Sequence, residues 1–223
     1  MTRTETFDAV KRWLVNPRWR VAIALCILGL TLTWFTLRVA DRFNEDVYID
    51  WKAFYNAAHA ARVGGDPIAA SSNWYIYPPL LAGALNPLTH LAITPAAWVW
   101  YGLALATTLA CMTLFYLVLC KRLNLPVRWS TFLPLLAWPL LLQANSVRWQ
   151  FEQSQTDWLL LACFVVALAA LDRVPWVCGL ALGFAANIKY TALVALPYLL
   201  IRRRFKEAAW TAVGCALFAF LPA

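Results

Sequence analysis

The chain has 223 residues, of which 62% are hydrophobic and only 13% charged, and its net charge is +8. Ordinary soluble domains contain roughly 45–50% apolar and about 25% charged residues, so this composition excludes a typical water-soluble protein. The basic residues stand in short clusters at the ends of apolar runs, which indicates membrane topology rather than a nucleic-acid-binding surface.

The first element in the chain is an apolar run at residues 21–37. No small-residue cleavage site follows it closely, so we interpret 19–38 as a retained first membrane span and not as a signal peptide. The positive-inside rule places the preceding N-terminus, and every basic cluster, in the cytoplasm. These clusters are Lys11, Arg12, Arg18 and Arg20, then Lys121, Arg122 and Arg128, then Arg202, Arg203, Arg204 and Lys206.

The first span delivers residues 39–78, the longest polar segment of the chain, to the outer side of the membrane. Aromatic and aliphatic residues recur at helical spacing within 48–63, which predicts an amphipathic helix lying on the outer interface. A G-G-D-P sequence then ends this helix. The outer loop is therefore expected to carry a juxtamembrane helix.

The next apolar stretch, 79–91, is short for a span and is interrupted by Asn86 and Pro87, which favours a re-entrant helix. If it only dips into the membrane, both later basic clusters fall on the cytoplasmic side, as the positive-inside rule requires. On this interpretation the polar segment 143–157 lies outside. The spans around that segment are predicted at 95–120, 129–142 and 158–171.

Residues 174–201 are apolar except for Asn187 and Lys189 near the middle. For both flanks to remain in the cytoplasm, two short helices must meet at Lys189, as in the broken helices with which membrane proteins bind substrates. A single long tilted span is the alternative, and both place Lys189 at depth. Taken together, these segments predict an all-α polytopic bundle of about six to eight membrane helices, given the length that one span needs. Residues 1–223 form one transmembrane domain, and the apolar run at the C-terminus indicates the N-terminal part of a longer protein.

Two charged residues are candidates for chemistry, because a charge at the centre of a membrane helix costs about 2.5–3.5 kcal/mol. The Lys189 ammonium is suited to an anionic headgroup or phosphate, and the alternative is a lysine that snorkels to the interface. The Asp50 carboxylate is placed to accept a proton from an attacking hydroxyl. Its alternative is a capping or first-turn acid stabilised by the helix dipole. Asp46 and Asp66 are weaker candidates.

The outer segment 148–157 offers further polar groups suited to hydroxyls and a phosphate, although a solvated loop would have the same composition. They are Arg148, Glu152, Gln153, Gln155 and Asp157. His59 and His90 are too isolated to predict a metal site. The six cysteines show no C-x-x-C spacing, so the sequence predicts neither a metal nor a cofactor.

Several short motifs follow one another in an order that resembles a known family. They are I-D-W-x-x-F-Y-N-A-A, G-G-D-P, Y-P-P-L, Q-x-D-W-L-L-L and G-L-A-L-G-F-A-A-N-I-K-Y-T-A-L-V-A-L-P-Y-L-L-I-R-R-R. In this order they are similar to the polyprenyl-phosphate-sugar-dependent glycosyltransferases of the GT-C superfamily. The family that the chain resembles most is glycosyltransferase family 87, which includes bacterial mannosyltransferases. The resemblance runs from about residue 19 to the end.

The resemblance implies an inverting hexosyltransferase, with mannose as the expected sugar. The donor would be a polyprenyl phosphate sugar and the acceptor a lipid or glycan hydroxyl, outside the bacterial cytoplasmic membrane. Asp50 matches the presumed catalytic base, and Lys189 matches a lysine placed to meet lipid phosphate, with Arg148 as a second phosphate partner. The cavity and acceptor site would comprise Tyr55, Tyr77, Gln155 and Asp157.

The sequence departs from the family pattern in two ways, and two other functions are also compatible with it. Ser154 and Gln155 stand where the family often has Gly-Gln, and family members are usually longer, with further spans that complete the donor site. The resemblance therefore leaves open whether this chain alone is active. The alternatives are a transporter or flippase-like protein, in which Asp50 and Lys189 line a pathway, and a noncatalytic fragment or assembly partner.

Overall fold

A computed structural model describes residues 16–45, 49–72, 75 and 77–220, and the regular structure of these residues is entirely helical. The predicted all-α class is thus confirmed. The described residues leave out Lys11, Arg12, Asp46 and the C-terminal end of the last apolar run. In chain order the α-helices are α1 (Pro17–Asn44), α2 (Ile49–Arg62), α3 (Pro67–Ala70), α4 (Pro79–Leu85), α5 (Ile93–Arg122), α6 (Trp129–Leu142), α7 (Ala144–Glu152), α8 (Asp157–Ala170), α9 (Pro175–Ile188), α10 (Ala195–Ile201) and α11 (Phe205–Phe220). Short 3-10 helices occupy Asn86–His90 and Tyr190–Val194.

Helices α1 and α5 are long and apolar enough to cross a membrane, with 28 and 30 residues. Only 22% of the most apolar window of each is buried inside the protein, so most of these side chains face outward, as in helices surrounded by lipid. Helices α7 and α8 would make a third candidate if counted together, although they are bent by 115° where they meet. The shorter apolar helices α6, α9 and α10 fit the predicted bundle, whose total number of crossings stays a prediction.

The first span is longer than the predicted segment 19–38, because α1 continues to Asn44. Val39 and Phe43 are buried, and the Phe43 ring packs edge-on against Trp98 with 5.0 Å between ring centroids. Contacts with α5 therefore support two further helical turns beyond the apolar run. The predicted outer loop begins correspondingly later.

The predicted juxtamembrane helix is present as α2, but its apolar face is covered by protein. Trp51 is fully buried and its Nε1 donates a hydrogen bond of 3.0 Å to the carbonyl oxygen of Ile93, while Phe54 is 1% exposed. These apolar side chains pack on the protein, and the location of α2 at the outer interface stays a prediction. Helix α4 packs beneath α2 with Leu80 and Leu81 buried, so the short apolar stretch completes the same core.

The basic clusters that the structure describes meet at one end of the bundle. Asp172, in the turn after α8, lies 2.8 Å from an Nη of Arg122 and forms a second ion pair with Arg204, so the ends of α5, α8 and α10 are tied together. Arg18 and Arg20 begin α1, whose Ala24 and Leu28 belong to the same buried cluster as Cys120 near the end of α5. This arrangement agrees with basic clusters on a single side of a membrane.

Residues 174–201 form two helices that are interrupted at Lys189, so the single tilted span is excluded. Helix α9 ends at Ile188, Lys189 is extended (φ −149°, ψ 119°), and a 3-10 turn leads into α10. Helix α9 runs from the Asp172 end toward α2, and α10 returns to Arg204. The chain therefore places Lys189 at the tip of a helical hairpin.

Small residues hold α9 tightly against α11. A Cβ added at Gly183 would lie 2.6 Å from backbone atoms of Gly214 and Cys215, and one added at Gly179 would lie 2.3 Å from the Cβ of Trp210. The Nδ2 of Asn187 donates to the carbonyl oxygens of Gly183 and Cys215, each at 3.0 Å. The G-x-x-x-G spacing thus serves close helix packing, as such motifs commonly do in membrane helices.

Substituting Gly183→Ala is expected to destabilise the protein by about 1–3 kcal/mol, because the added methyl group forces two backbones apart. Thermal unfolding in detergent would measure this loss. Gly102→Ala is the matched control, since Gly102 also lies inside a helix but has no atom within 4 Å of the added Cβ. An equal loss in both variants would contradict the role of the α9–α11 contact.

Candidate active site

The candidate site is built at the end of the bundle opposite the basic clusters, and Asp50 is its first member. Asp50 lies in the first turn of α2, where an acid is favoured by the helix dipole. The neighbouring Trp51 fixes this turn through its hydrogen bond to Ile93. Asp50 is therefore a first-turn acid, as the alternative interpretation predicted. Its turn is also held in a fixed position against the rest of the protein.

Gln155 contacts Asp50 from the sharp turn between α7 and α8. Its Nε2 donates a hydrogen bond to Oδ2 of Asp50, which joins positions 105 residues apart in the chain. The turn is shaped by Ser154, whose φ is +56°, a left-handed conformation that glycine adopts without a steric penalty. This explains why Gly-Gln suits the position and how Ser154 replaces it at a modest cost.

Asp157 and Lys189 form the second half of the site. Asp157 begins α8, and its Oδ1 lies 2.8 Å from Nζ of Lys189, at the break after α9. Both side chains are 36% exposed, so the ion pair is accessible to solvent or a ligand. The break in the helix thus presents a lysine ammonium to an adjacent acid.

The two halves of the site influence each other electrostatically. Partial burial raises the pKa of Asp50 above its ordinary value of 3.8, and the positive charge of Lys189 acts in the opposite direction. Lys189 is also within electrostatic reach of the Tyr77 phenol. Asp50, Gln155, Asp157, Lys189 and Tyr77 are thus linked by contacts or electrostatic interactions, and their predicted roles in a site stay a prediction.

Aromatic rings form the wall behind this cluster. The Trp100 ring lies between Trp51 and Trp158, with centroid distances of 5.7 and 4.8 Å, and its Nε1 donates 2.9 Å to the carbonyl oxygen of Ser154. Tyr77 packs edge-on against Phe54 at 5.0 Å. Trp100 lies in the middle of an apolar run, so nothing in the sequence distinguishes it from a core or lipid-facing residue.

Tyr55 and Asp66 make contacts that separate them from the cluster. The Tyr55 hydroxyl donates 2.8 Å to the carbonyl oxygen of Leu91, and its ring stacks on His59. Asp66 caps α3 by accepting hydrogen bonds from the backbone N–H groups of Ile68 and Ala69. The structure gives Asp66 a local structural role and does not bring Tyr55 to Asp50.

Arg148 is engaged in a different network. One Nη lies 2.6 Å from Oε1 of Glu152, and the guanidinium lies 5.3 Å from the centre of the Trp34 ring. Glu152 is 1% exposed and also lies 3.9 Å from Nε of Arg42. Among the described residues Arg148 pairs with Glu152, whereas Lys189 pairs with Asp157. The role of Arg148 at the donor phosphate stays a prediction.

Glu152 is a buried acid whose ion pairs were not predicted from the sequence, although its spacing from Arg148 indicated one of them. Arg148 and Glu152 are separated by four positions, a spacing that pairs opposite charges on one helix face. That spacing would have predicted helix α7 within the polar segment 143–157. The side chain now joins α7 to α1 through Arg42.

The described residues contain no group of three or more His, Cys, Asp or Glu that could hold a metal ion. A carboxylate can accept a proton from a hydroxyl, and a nearby ammonium can stabilise a leaving phosphate. The accessible faces of Asp50 and Lys189 therefore suit a transfer reaction between a hydroxyl and a phosphate ester.

The sequence of this chain is similar to those of known proteins. The model of glycosyltransferase family 87 matches residues 75–223. The chain is 31% identical over 228 residues to the polyprenol-phosphate-mannose-dependent alpha-(1-2)-phosphatidylinositol mannoside mannosyltransferase of Mycolicibacterium smegmatis. This match covers 91% of the chain and 49% of the relative, so the chain spans about half the length of the curated relative it matches. No solved structure matches.

Proposed function

The chain belongs to glycosyltransferase family 87, and we propose that it takes part in transferring a hexose from a polyprenyl phosphate to an acceptor hydroxyl. Mannose is the proposed sugar, because the relative is named for a polyprenol-phosphate-mannose donor. The proposed acceptor is a lipid or glycan, since that relative acts on a phosphatidylinositol mannoside. The observation that carries the proposal is that the turn before α8 contacts both charged residues, Asp50 through Gln155 and Lys189 through Asp157.

Asp50 is the proposed base. A carboxylate oxygen of Asp50 accepts the proton of the acceptor hydroxyl while the hydroxyl oxygen bonds to the anomeric carbon of the sugar. The bond between that carbon and the phosphate oxygen breaks, and the phosphate leaves with the bonding electrons. Attack on the face opposite the phosphate inverts the anomeric carbon.

Lys189 is the proposed partner of the leaving phosphate. Its ammonium neutralises charge that develops on the phosphate oxygen, which lowers the barrier to bond breaking. Oδ1 of Asp157 lies 2.8 Å from the nitrogen of this ammonium. A bound phosphate would share or replace that contact, so Asp157 positions Lys189 before the donor arrives.

Gln155 is a proposed positioning residue. By donating to Oδ2 of Asp50 it fixes the orientation of the carboxylate. One carboxylate oxygen then points to the acceptor while the other is held by the amide. Gln155 was predicted in the acceptor site, and we now propose that it supports the base.

The site is proposed to face the outer side of the cytoplasmic membrane. Its residues lie at the end of α8 and α9 that is opposite the basic cluster around Asp172, and basic residues favour the cytoplasm. Fourteen residues of helix separate the two ends, about 21 Å at 1.5 Å per residue. The site would therefore lie within reach of donors held in the membrane.

A cysteine placed at Ser146 is expected to react with a membrane-impermeant maleimide added to intact cells, because Ser146 is exposed on α7 near the proposed outer end. Ser154, at 3% exposure, is too buried for this purpose. The control is a cysteine at Arg203, which should react only after the cells are permeabilised. Both substitutions require a background without the six native cysteines. The reverse labelling pattern would contradict the orientation.

Transfer itself is tested with membranes that contain the chain and are supplied with radiolabelled polyprenyl phosphate mannose or a labelled nucleotide mannose. Label is expected in glycolipid or glycan only from the lipid-linked donor. Direct transfer from the nucleotide donor would overturn the proposed donor class. Absence of transfer from both would favour the noncatalytic assembly partner.

The pH dependence of transfer follows from the raised pKa of Asp50. A base must be deprotonated, so activity is expected to fall on acidification at a pH above the ordinary value of 3.8. Replacing Lys189 with methionine removes the charge that favours the carboxylate, so the acidic limb of the residual activity should move to higher pH. Rate profiles of both proteins measure this. An unmoved limb would contradict the electrostatic link.

A further inference from the structure

A cleft with a basic rim lies at the opposite end of the bundle, between the last turns of α5 and the turn after α8. Its volume is about 440 Å³. Leu114, Leu117 and Val118 line its apolar part. Its rim is lined by three basic residues and one acid, namely Lys121, Arg122, Arg173 and Asp172. None of these residues belongs to the candidate active site.

The lining changes from apolar to basic along one face of α5. Residues 114, 117, 118 and 121 follow the spacing that places side chains on a single helix face. Leu114 and Leu117 are 37% and 43% exposed, so this face is open to the membrane. From Leu114 to Lys121 the helix rises about 10 Å. The cleft therefore has an apolar side along the helix and positive charge at one end.

The positive charge at this end is only partly neutralised within the protein. Arg122 lies 2.8 Å from Asp172 and donates 3.0 Å to the carbonyl oxygen of Leu168, and Asp172 is shared with Arg204. Lys121 and Arg173 are exposed, and neither side chain has a hydrogen bond or ion pair with another described residue. Two cations thus remain available beside an apolar surface.

Four other cavities formed by the described residues lack this combination. Those of about 490, 260 and 320 Å³ are lined by uncharged residues, and one of about 650 Å³ is lined by His59 and Asp66 without a lysine or arginine. A ligand for the cleft at the α5 end must instead combine an anionic group with an apolar chain. Basic pockets between membrane helices bind anionic lipid headgroups in this way.

We propose that this cleft binds an anionic glycerophospholipid, with the headgroup phosphate between Lys121 and Arg173 and an acyl chain along Leu114 and Leu117. The charge complementarity of the rim and the apolar face of α5 select this occupant. The site does not depend on the transferase activity. It would tie the ends of α5 and α8 to one leaflet of the membrane.

Native mass spectrometry of the purified chain with phosphatidylglycerol or phosphatidylcholine tests the proposal. Phosphatidylglycerol is expected to bind more tightly, and the double variant Lys121→Gln/Arg173→Gln to bind it about 30-fold more weakly, given the attraction of two basic residues to anionic lipid. Arg128→Gln/Arg203→Gln is the matched control, with the same loss of charge at exposed residues of the same end outside the cleft.

Three outcomes would overturn this site. The first is equal binding of the two lipids, and the second is an equal loss of affinity in the control variant. The third is binding of inorganic phosphate as tight as that of the lipid, which would show that the apolar face contributes nothing. Thermal unfolding of both double variants should match that of the unsubstituted protein, since all four side chains are exposed.

Discussion

Replacing Asp50 with asparagine is expected to lower hexose transfer by about 10²–10⁴-fold, the usual contribution of a general base. The substitution keeps the size of the side chain and its ability to accept a hydrogen bond from Gln155. It removes the negative charge and with it the capacity to take up a proton at neutral pH. Initial rates with radiolabelled polyprenyl phosphate mannose measure the effect.

Asp66→Asn is the matched control for Asp50→Asn. Asp66 lies in the same outer segment and caps α3, and asparagine caps helices as well as aspartate does. Its transfer rate should therefore equal that of the unsubstituted protein. Equal rates for Asp50→Asn and Asp66→Asn would remove Asp50 from the mechanism, whatever the fate of the family assignment.

Replacing Lys189 with methionine is expected to lower transfer by about 10²–10³-fold, comparable to the removal of one group that stabilises transition-state charge. Methionine retains the apolar stem but leaves the leaving phosphate without its cation. The same substitution also leaves Asp157 without its partner at 2.8 Å. The loss of rate alone therefore does not distinguish a catalytic lysine from a structural one.

The double variant Lys189→Met/Asp157→Asn separates these two roles. If Lys189 serves only to neutralise Asp157, removing both charges should restore most of the activity. If Lys189 binds the phosphate, the double variant should stay as slow as the single one. Restored transfer would contradict the proposed role, and Lys206→Met, at the opposite basic end, controls for a general effect of lost charge.

Segments with continuous hydrophobicity were predictable from the sequence. Helix α6 has the predicted bounds, because its apolar run is continuous. The interruption at Lys189 required a further argument, since the basic clusters at both flanks favoured two short helices over one tilted span. Local hydrophobicity was therefore sufficient to predict α6 but not the break at Lys189.

Contacts between distant segments were not predictable in the same way. The Asp50–Gln155 hydrogen bond joins residues 105 positions apart, and no periodicity indicates such a pairing. The apolar face of α2 was equally compatible with lipid or protein, because burial of Trp51 requires the backbone of α5 beside it. The family resemblance selected Asp50 and Lys189, whereas their partners became evident only from the fold.

The contact between α9 and α11 has a consequence for how variants of this protein should be interpreted. Lys189 follows the last turn of α9, and the lateral position of that helix is set by Gly179 and Gly183 against α11. A bulkier residue in this seam would displace the ammonium sideways even in molecules that remain folded. Substitutions far from any substrate would then mimic active-site lesions, with weakened donor affinity as their first phenotype.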